Sequence, residues 1–392
     1  MTLFLFTAAY PYGQSETFLE EELPILAMQF NSIEIVPLNG IGDPTREVPN
    51  NVKVHKPIIS GTQSKWRIGM YFFNTFNRLF WGEFFKKKVY LNLKRLKTWA
   101  IAYRNTCIIS KSVVIHEIEE RLTSDDICYY YWGKGLNLLS LMWKDKACHV
   151  SRFHGEWDLW EESSGNYAPL RDKLAKALDL AVFISKKGED YFGKKYPYCR
   201  TCVSRLGAKD VGIAQKSTDG ILRVVSCSSV YPLKRVPLIY KALTQMSSHQ
   251  IEWTHIGNGC DFNNLRTIVE GKTYSHLKVR LLGQLAHKDV IQYYVNNTVD
   301  LFINMSTNEG IPVSIMEAIS FDIPIVATNV GGTSEIVTPE SGVLLSENPS
   351  TDEIITAIER VINGTFTPRK FWNKTYNSEN NYTEFCRIIK EL

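Results

Sequence analysis

The chain has 392 residues, 44% of them apolar and 22% charged, and a formal net charge of +4. This length and composition predict two globular domains and exclude a disordered or solenoid chain. Residues 1–205 carry 28 Lys and Arg against 22 Asp and Glu and the remainder 17 against 19, so the first half is the one suited to anionic partners such as lipid, nucleic acid or phosphorylated ligands.

The opening "MTLFLFTAAYPYGQ" has an apolar run with no Lys or Arg before it, which reads as a buried strand and not as a signal peptide. "SETFLEEELPILAMQF" follows with Phe18, Leu19, Leu23, Leu26 and Ala27 at helical spacing after a Ser cap. "SIEIVPL", "SVVIH", "ICYYYW", "HVSRFHG" and "LAVFIS" read as strands, each ending in a polar or Gly-containing loop. No stretch reaches the roughly 18 apolar residues that span a bilayer, and a cytoplasmic protein is expected, at most peripheral at the inner face of the cell membrane.

Within this half, residues 64–104 hold ten Lys or Arg, twelve aromatics and one acid, Glu83. Such interleaving suits a membrane surface, with rings among the headgroups and cations on anionic lipid. The plainer reading is a set of helices packed on the first domain with a solvated basic rim. Nucleic acid is not expected, because no recognition motif accompanies the charge. Eight scattered cysteines make no disulfide framework. Cys199 and Cys202 form one C-x-x-C, read as two free thiols near a linker or, less simply, as a redox or metal pair.

A polar segment, "LGAKDVGIAQKSTDG", separates the halves. Beyond it "ILRVVSCSS", "IEWTHIGNG", "KVRLLGQ", "VDLFINMS", "IPIVATN" and "GVLLS" are strand-like, alternating with helix-like "VPLIYKALTQMS", "KDVIQYYVNN", "PVSIMEAISF", "TSEIV" and "TDEIITAIERVIN". Apolar strands alternating with helices predict parallel sheets covered on both faces. The fold class is therefore α/β with two Rossmann-like domains, 1–208 and 209–370. Residues 371–392, with Trp372, Tyr376, Tyr382 and Phe385 as packing residues, read as a helix returning to the first domain.

"NEGIPVSIMEA" raises the question of function. Ligands of open α/β sheets bind beyond the carboxyl ends of the strands, so the loop after "VDLFINMS" faces a ligand. A helix beginning near Pro312 aims the amides of Val313 and Ser314 at an anion, phosphate above all. Glu309 lies beside that site and Glu317 reaches back from the helix, and carboxylates accept hydrogen bonds from hydroxyls. Two of them around a phosphate site suggest a sugar on each side of a diphosphate.

This E-x7-E, followed by "PIVATNVGGTSEIV", resembles the family-4 retaining glycosyltransferases of the GT-B fold (group 1). The resemblance implies two Rossmann-like domains facing across a cleft, with the acceptor on the first and a nucleotide-diphosphate sugar mainly on the second. It implies that Glu309 contacts hydroxyls of the transferred sugar and Glu317 the ribose, with Gly310, Ile311, Val313 and Ser314 lining the donor. Lys234, in "SVYPLKRVPL", matches the phosphate-binding cation, with Arg235 beside it. Many relatives carry Arg five positions earlier, where this chain has Ser229. Gly13 matches the glycine of the first loop, and His154 in "FHGEWD" the histidine beside the transferred sugar. Tyr10, Glu156 and Asp158 are the implied acceptor residues. Gly257 in "HIGNGC", and Gly283 with Gln284 in "LLGQLAHKD", match segments near the donor and its base.

No D-x-D occurs, so no metal and no cofactor beyond the co-substrate is expected. The expected partners are a nucleotide sugar and a glycan or polyprenyl-linked acceptor, which points to cell-surface polysaccharide, capsule or lipopolysaccharide assembly. Two other functions remain open. The G-x-G of 257–259 suits a dinucleotide-dependent oxidoreductase, against which Phe262 stands at the third glycine position. Ser229 suits a sugar-nucleotide-binding protein without turnover.

Overall fold

The computed structural model describes residues 1–13, 15–61, 76–155 and 158–392. The chain forms two compact units, Met1–Ser204 with Tyr382–Leu392, and Arg205–Asn381.

The strands of the first unit are β1 (Leu3–Thr7), β2 (Ile33–Pro37), β3 (Asn39–Gly40), β4 (Val52–Val54), β5 (Ile59–Ser60), β6 (Ile127–Tyr130), β7 (Cys148–Phe153), β8 (Leu180–Phe183) and β9 (Thr201–Val203). Seven make one sheet in the order β4-β2-β1-β6-β7-β8-β9, every ladder parallel, and β3 pairs with β5 apart. Its helices are α1 (Leu19–Gln29), α2 (Asn77–Lys86), α3 (Leu93–Ile109), α4 (Val113–Arg121), α5 (Arg171–Ala177) and α6 (Lys186–Lys195). Both faces of the sheet are covered. Leu3 and Leu5 of β1 enter one core with Ile33, Ile35 and Tyr129, while Phe4 and Phe6 enter the opposite core with Cys128 and Tyr130. That two-sided burial is why the strands read as unbroken apolar runs.

The second unit holds β10 (Ile221–Cys227), β11 (Gln250–Ile256), β12 (Leu277–Gly283), β13 (Leu301–Asn304), β14 (Ile325–Thr328) and β15 (Gly342–Leu345). They are parallel in the order β12-β11-β10-β13-β14-β15. The helices α7 (Val236–Leu243), α8 (Phe262–Glu270), α9 (His287–Asn296), α10 (Val313–Ser320), α11 (Thr351–Asn363) and α12 (Pro368–Thr375) cover it. In both sheets chain order reverses beside the first strand, between β1 and β6 and between β10 and β13. Loops splay apart there and leave a crevice for ligands.

The last helix, α13 (Ser378–Lys390), starts in the second unit and ends in the first. Its Phe385, Cys386 and Ile389 join the core of Leu3 and Leu5. Beneath it, buried Arg152 lies 3.3 Å from buried Glu22 and 4.4 Å from the Phe385 ring centroid.

Several local expectations are corrected. "SVVIH" is not a strand but the start of α4, which buries Ile115 and Ile118 at helical spacing; three consecutive β-branched residues imitate a strand. Ser15 does not cap α1, whose cap position is Phe18. Pro312 caps α10 from outside and is not within its first turn. The tail is two helices, with Trp372 and Tyr376 in the second unit and Tyr382 and Phe385 in the first. Of the basic aromatic stretch, residues 64–75 lie outside the described residues. In the rest, Phe76, Phe80, Trp99 and Tyr103 form a buried cluster with Leu138 and Leu174. Among the described residues no helix is long and apolar enough to cross a membrane.

Candidate active site

The second unit's crevice is built by the loops after β10 and β13. Lys234 ends a 3-10 turn, Pro232–Lys234, in the first of them. Its Nζ lies 2.6 Å from Glu309 Oε1 in the second. Ser306 Oγ donates to the same oxygen at 2.6 Å, and Asn304 Nδ2 at 3.4 Å. Asn304 Oδ1 in turn accepts from the Ser306 amide at 2.9 Å. Three donors thus converge on one carboxylate oxygen and fix Glu309 beside a cation. The two loops are also joined by the Thr307 amide, which donates to Leu233 O at 2.7 Å.

The Glu309–Ile311 turn rests on Gly331 and Gly332. Gly331 has φ +55° and any Cβ there would overlap the Glu309 carbonyl; a Cβ at Gly332 would crowd Gly310 O and Ile311. The Gly332 amide donates to Gly310 O at 2.8 Å. The "GG" of "VGGTSE" is therefore a seat for the acidic loop. Behind that loop α10 begins at Val313, and its first intrahelical donors are Ile315 and Met316, both on Pro312 O. The amides of Val313 and Ser314 precede them and form the helix's positive end. On the second turn, buried Glu317 has Oε1 2.8 Å from His287 Nε2. Beneath it Cys227 is pushed up to about 12 by burial, with the charge of Glu317 adding to the shift.

Arg235 clamps the surrounding loops. Its guanidinium donates to Met305 O (2.6 Å), Ser306 O (3.0 Å), Glu347 O (2.7 Å) and Asn348 Oδ1 (3.1 Å). Ser229 is exposed on the loop after β10. Gly257 and Gly259 let neighbouring loops meet: Cβ atoms there would overlap Ser228 O and Val230 O. The G-x-G is thereby explained by loop packing. Gly283, with φ +70°, and exposed Gln284 end the edge strand β12. The Gly283 carbonyl accepts from the Gly257 amide at 2.8 Å.

In the first unit His154 ends β7, its ring 4.5 Å from Trp132 and 4.8 Å from Tyr131 by centroids. Its Nδ1 lies 3.6 Å from Asp158 Oδ2, and among the described residues neither ring nitrogen has a hydrogen-bond partner. Asp158 anchors the loop after β7. It is 3% exposed, and its carboxylate accepts from the amides of Gly133, His154 and Gly155 at 2.9 Å. Burial alone would raise this carboxyl, but His154 and the amides of Gly133 and Gly155 hold it below its usual range. Tyr10 packs in the core, 2% exposed, with burial raising its phenol to about 12. Gly13, at φ +65°, has open space where a Cβ would be. Glu156 lies outside the described residues.

Sequence reasoning missed Asn304 and Ser306, which hold Glu309, and His287, which holds Glu317. Two polar residues closing the apolar "LFIN" strand were the available signal. It also missed Glu16, whose carboxylate accepts from the amides of Ala8, Ala9 and Tyr10 at 2.7–2.8 Å and from Trp132 Nε1 at 2.7 Å.

Fold and site together define a two-unit α/β protein with a helix end framed by two carboxylates and a lysine. Residues 215–378 match the family described as glycosyl transferases group 1. Over 87 residues the chain is 39% identical to a human phosphatidylinositol N-acetylglucosaminyltransferase subunit, covering 22% of this chain and 17% of that protein. The matched segment is thus well under half the length of that relative. Among solved structures, the apo lipopolysaccharide outer core galactosyltransferase WaaB superposes with a TM-score of 0.69 at 13% identity, covering 100% of each chain. Anabaena HepE in complex with UDP and glucose superposes at 0.65 with 15% identity, also over 100% of each. The fold is GT-B, and the likeness to the group 1 glycosyltransferases lies in residues 215–378.

Proposed function

We propose that the protein transfers a sugar from a nucleoside-diphosphate donor, with retention of configuration, to a glycan or lipid-linked acceptor in cell-surface polysaccharide synthesis. The observation that carries this reading is the Lys234–Glu309 pair, 2.6 Å apart at the reversal point of the second sheet and in the loop that leads into α10. A donor diphosphate suits the helix amides and Lys234, which stabilise the charge that grows as the sugar leaves. Glu309, released from Lys234 by the phosphate, accepts hydroxyls of the transferred sugar. Glu317, oriented by His287, accepts the ribose hydroxyls. The leaving diphosphate helps to deprotonate the acceptor hydroxyl. Because the positive end of α10 and Lys234 supply the electrostatic stabilisation, transfer is expected to persist in EDTA.

The human relative's name gives it a phosphatidylinositol acceptor, and one structural neighbour was solved with UDP and glucose. Both support the general class. Exposed Trp81, Phe85 and Tyr90 beside Lys86, Lys87 and Lys88 support contact with a membrane surface. The test is incubation with a panel of UDP-, GDP- and ADP-sugars, with and without EDTA, following release of nucleoside diphosphate and the anomeric configuration of the product by NMR. Turnover of one donor class with retention is expected. Inversion, or turnover that needs a divalent cation, would contradict the proposal.

A further inference from the structure

His255 is a fully buried imidazole near the end of β11, and its partner across the ladder is Ser226 of β10. Trp253 Nε1 lies 3.0 Å from Ser226 Oγ, and Ser226 Oγ lies 2.9 Å from His255 Nδ1. Burial lowers His255 to about 4, so the ring is neutral near pH 7 and carries one proton. An indole N–H can only donate, so Ser226 Oγ accepts from Trp253 and gives its own proton to His255 Nδ1. The ring proton is then on Nε2. Among the described residues that nitrogen has no hydrogen-bond partner. A buried donor without a partner is costly, and one kept in a folded chain asks for a reason.

Nε2 faces the Ser228 carbonyl, which draws the ring's pKa upward against the effect of burial. A Cβ at Gly257 would sit 3.5 Å from Nε2 and 1.9 Å from Ser228 O, so the glycine keeps the space between them open. Ser228 begins the loop that ends at Lys234. The base of that loop is laced to the turn after β11: the Ser228 amide donates to Ile256 O and the Val230 amide to Asn258 O, both at 3.0 Å. Ser229, between them, is exposed, and its carbonyl accepts from the Tyr231 amide at 3.1 Å. In a trans peptide the N–H points opposite to the carbonyl before it. A Ser228 carbonyl turned onto His255 therefore turns the Ser229 N–H away from the buried ring and toward the open crevice.

We propose that His255 is a positioning residue for donor binding: its Nε2–H takes the Ser228 carbonyl when the diphosphate binds, and the Ser229 N–H aimed in this way donates to a phosphate oxygen. The inference rests on the nucleotide-sugar reading of the crevice. It gives Ser229 a role through its backbone, at a position whose side chain carries no charge. In the free protein the unpaired N–H costs stability. In the complex its bond is made, so the movement of the loop favours binding. A histidine that served only to pack β11 on β10 would stabilise the free and bound states alike.

Two substitutions separate these roles. Gln and Leu both lose the ring nitrogen that accepts from Ser226, but the Gln amide places a donor where Nε2 stands. The test is calorimetric titration of UDP, GDP and ADP into wild type, His255→Gln and His255→Leu, with thermal unfolding of the free proteins. For the nucleoside diphosphate that wild type binds, His255→Gln is expected to stay within about threefold of wild type and His255→Leu to bind about five- to tenfold more weakly. The two free variants should unfold within about 2 °C of each other. Nitrogen NMR spectra of the histidine side chains, with His255 assigned by its loss in His255→Gln, should show the proton on Nε2 and a downfield move of that proton when nucleotide is added. A proton on Nδ1, or a weaker His255→Leu whose free form is destabilised to the same extent, would overturn the assignment. Binding by wild type with equal affinity in the two variants overturns this inference alone. Binding of none of the three nucleotides to wild type overturns the nucleotide-sugar reading and this inference with it.

Discussion

Glu309 is held by Lys234, Ser306 and Asn304, all on Oε1. This arrangement makes opposing demands on the two charged partners. Lys234→Ala removes a phosphate cation and leaves a carboxylate at the site, so nucleoside-diphosphate affinity should fall about 10- to 100-fold. Glu309→Gln frees Lys234 from its ion pair and removes like charge beside the phosphates. Affinity for the bare nucleoside diphosphate should be preserved or rise, while transfer falls on the order of 10²–10³-fold. Calorimetry and a turnover assay on the same samples check the split. Loss of affinity together with turnover would show that Glu309 is only a structural partner of Lys234. His287→Ala should weaken nucleotide binding through Glu317, seen as a change in donor KM rather than kcat.

At the scale of elements, the Glu309–Ile311 turn depends on what lies under it. Gly331→Ala must fit a Cβ into space held by the Glu309 carbonyl, at a φ of +55°. The variant is expected to lose about 2 kcal/mol or more of stability, with thermal unfolding as the readout. Most strands were legible because burial on both faces writes them as apolar runs, as in "LFLFT" and "LAVF". The start of α4 was not, because Val113, Val114 and Ile115 satisfy the strand pattern and the helical pairing of Ile115 with Ile118 shows only over a longer window. Glu16 was illegible for another reason. It looked like a first-turn acid, but its carboxylate turns back at φ +60° to bind three amides of the preceding loop. Asp158 binds three amides in the same manner, so an acid near a ligand loop can be its scaffold.

Across the whole molecule, the two units differ in how much of their chemistry the sequence discloses. In the second unit the key residues fall within short local motifs, 229–235 and 304–317, whose spacing carries the geometry. A cavity in the first unit is assembled from Phe6, Lys97, Lys134 and Arg171, far apart in the chain, and no local pattern announces it. Stability should also depend on pH through the buried interior. His255 in β11 is fully buried with Nδ1 2.9 Å from Ser226 Oγ, and burial lowers it from 6.5 to about 4. The folded pKa lies below the unfolded one, so the unfolded chain binds more protons between pH 6.5 and 4. Stability is therefore full above pH 6.5 and falls as pH drops through that window, by on the order of 3 kcal/mol for this residue. Thermal unfolding at pH 7.5 and pH 5 should show the loss, and His255→Asn should reduce the difference between the two.

The most direct test of the central claim is calorimetric titration of UDP, GDP and ADP into the wild-type chain and Lys234→Ala, without added metal. The account predicts saturable binding of one nucleoside diphosphate with one site per chain, weakened at least tenfold by the substitution. Binding of none of them, or equal binding by wild type and Lys234→Ala, would contradict the assignment of the donor to the Lys234–Glu309 crevice.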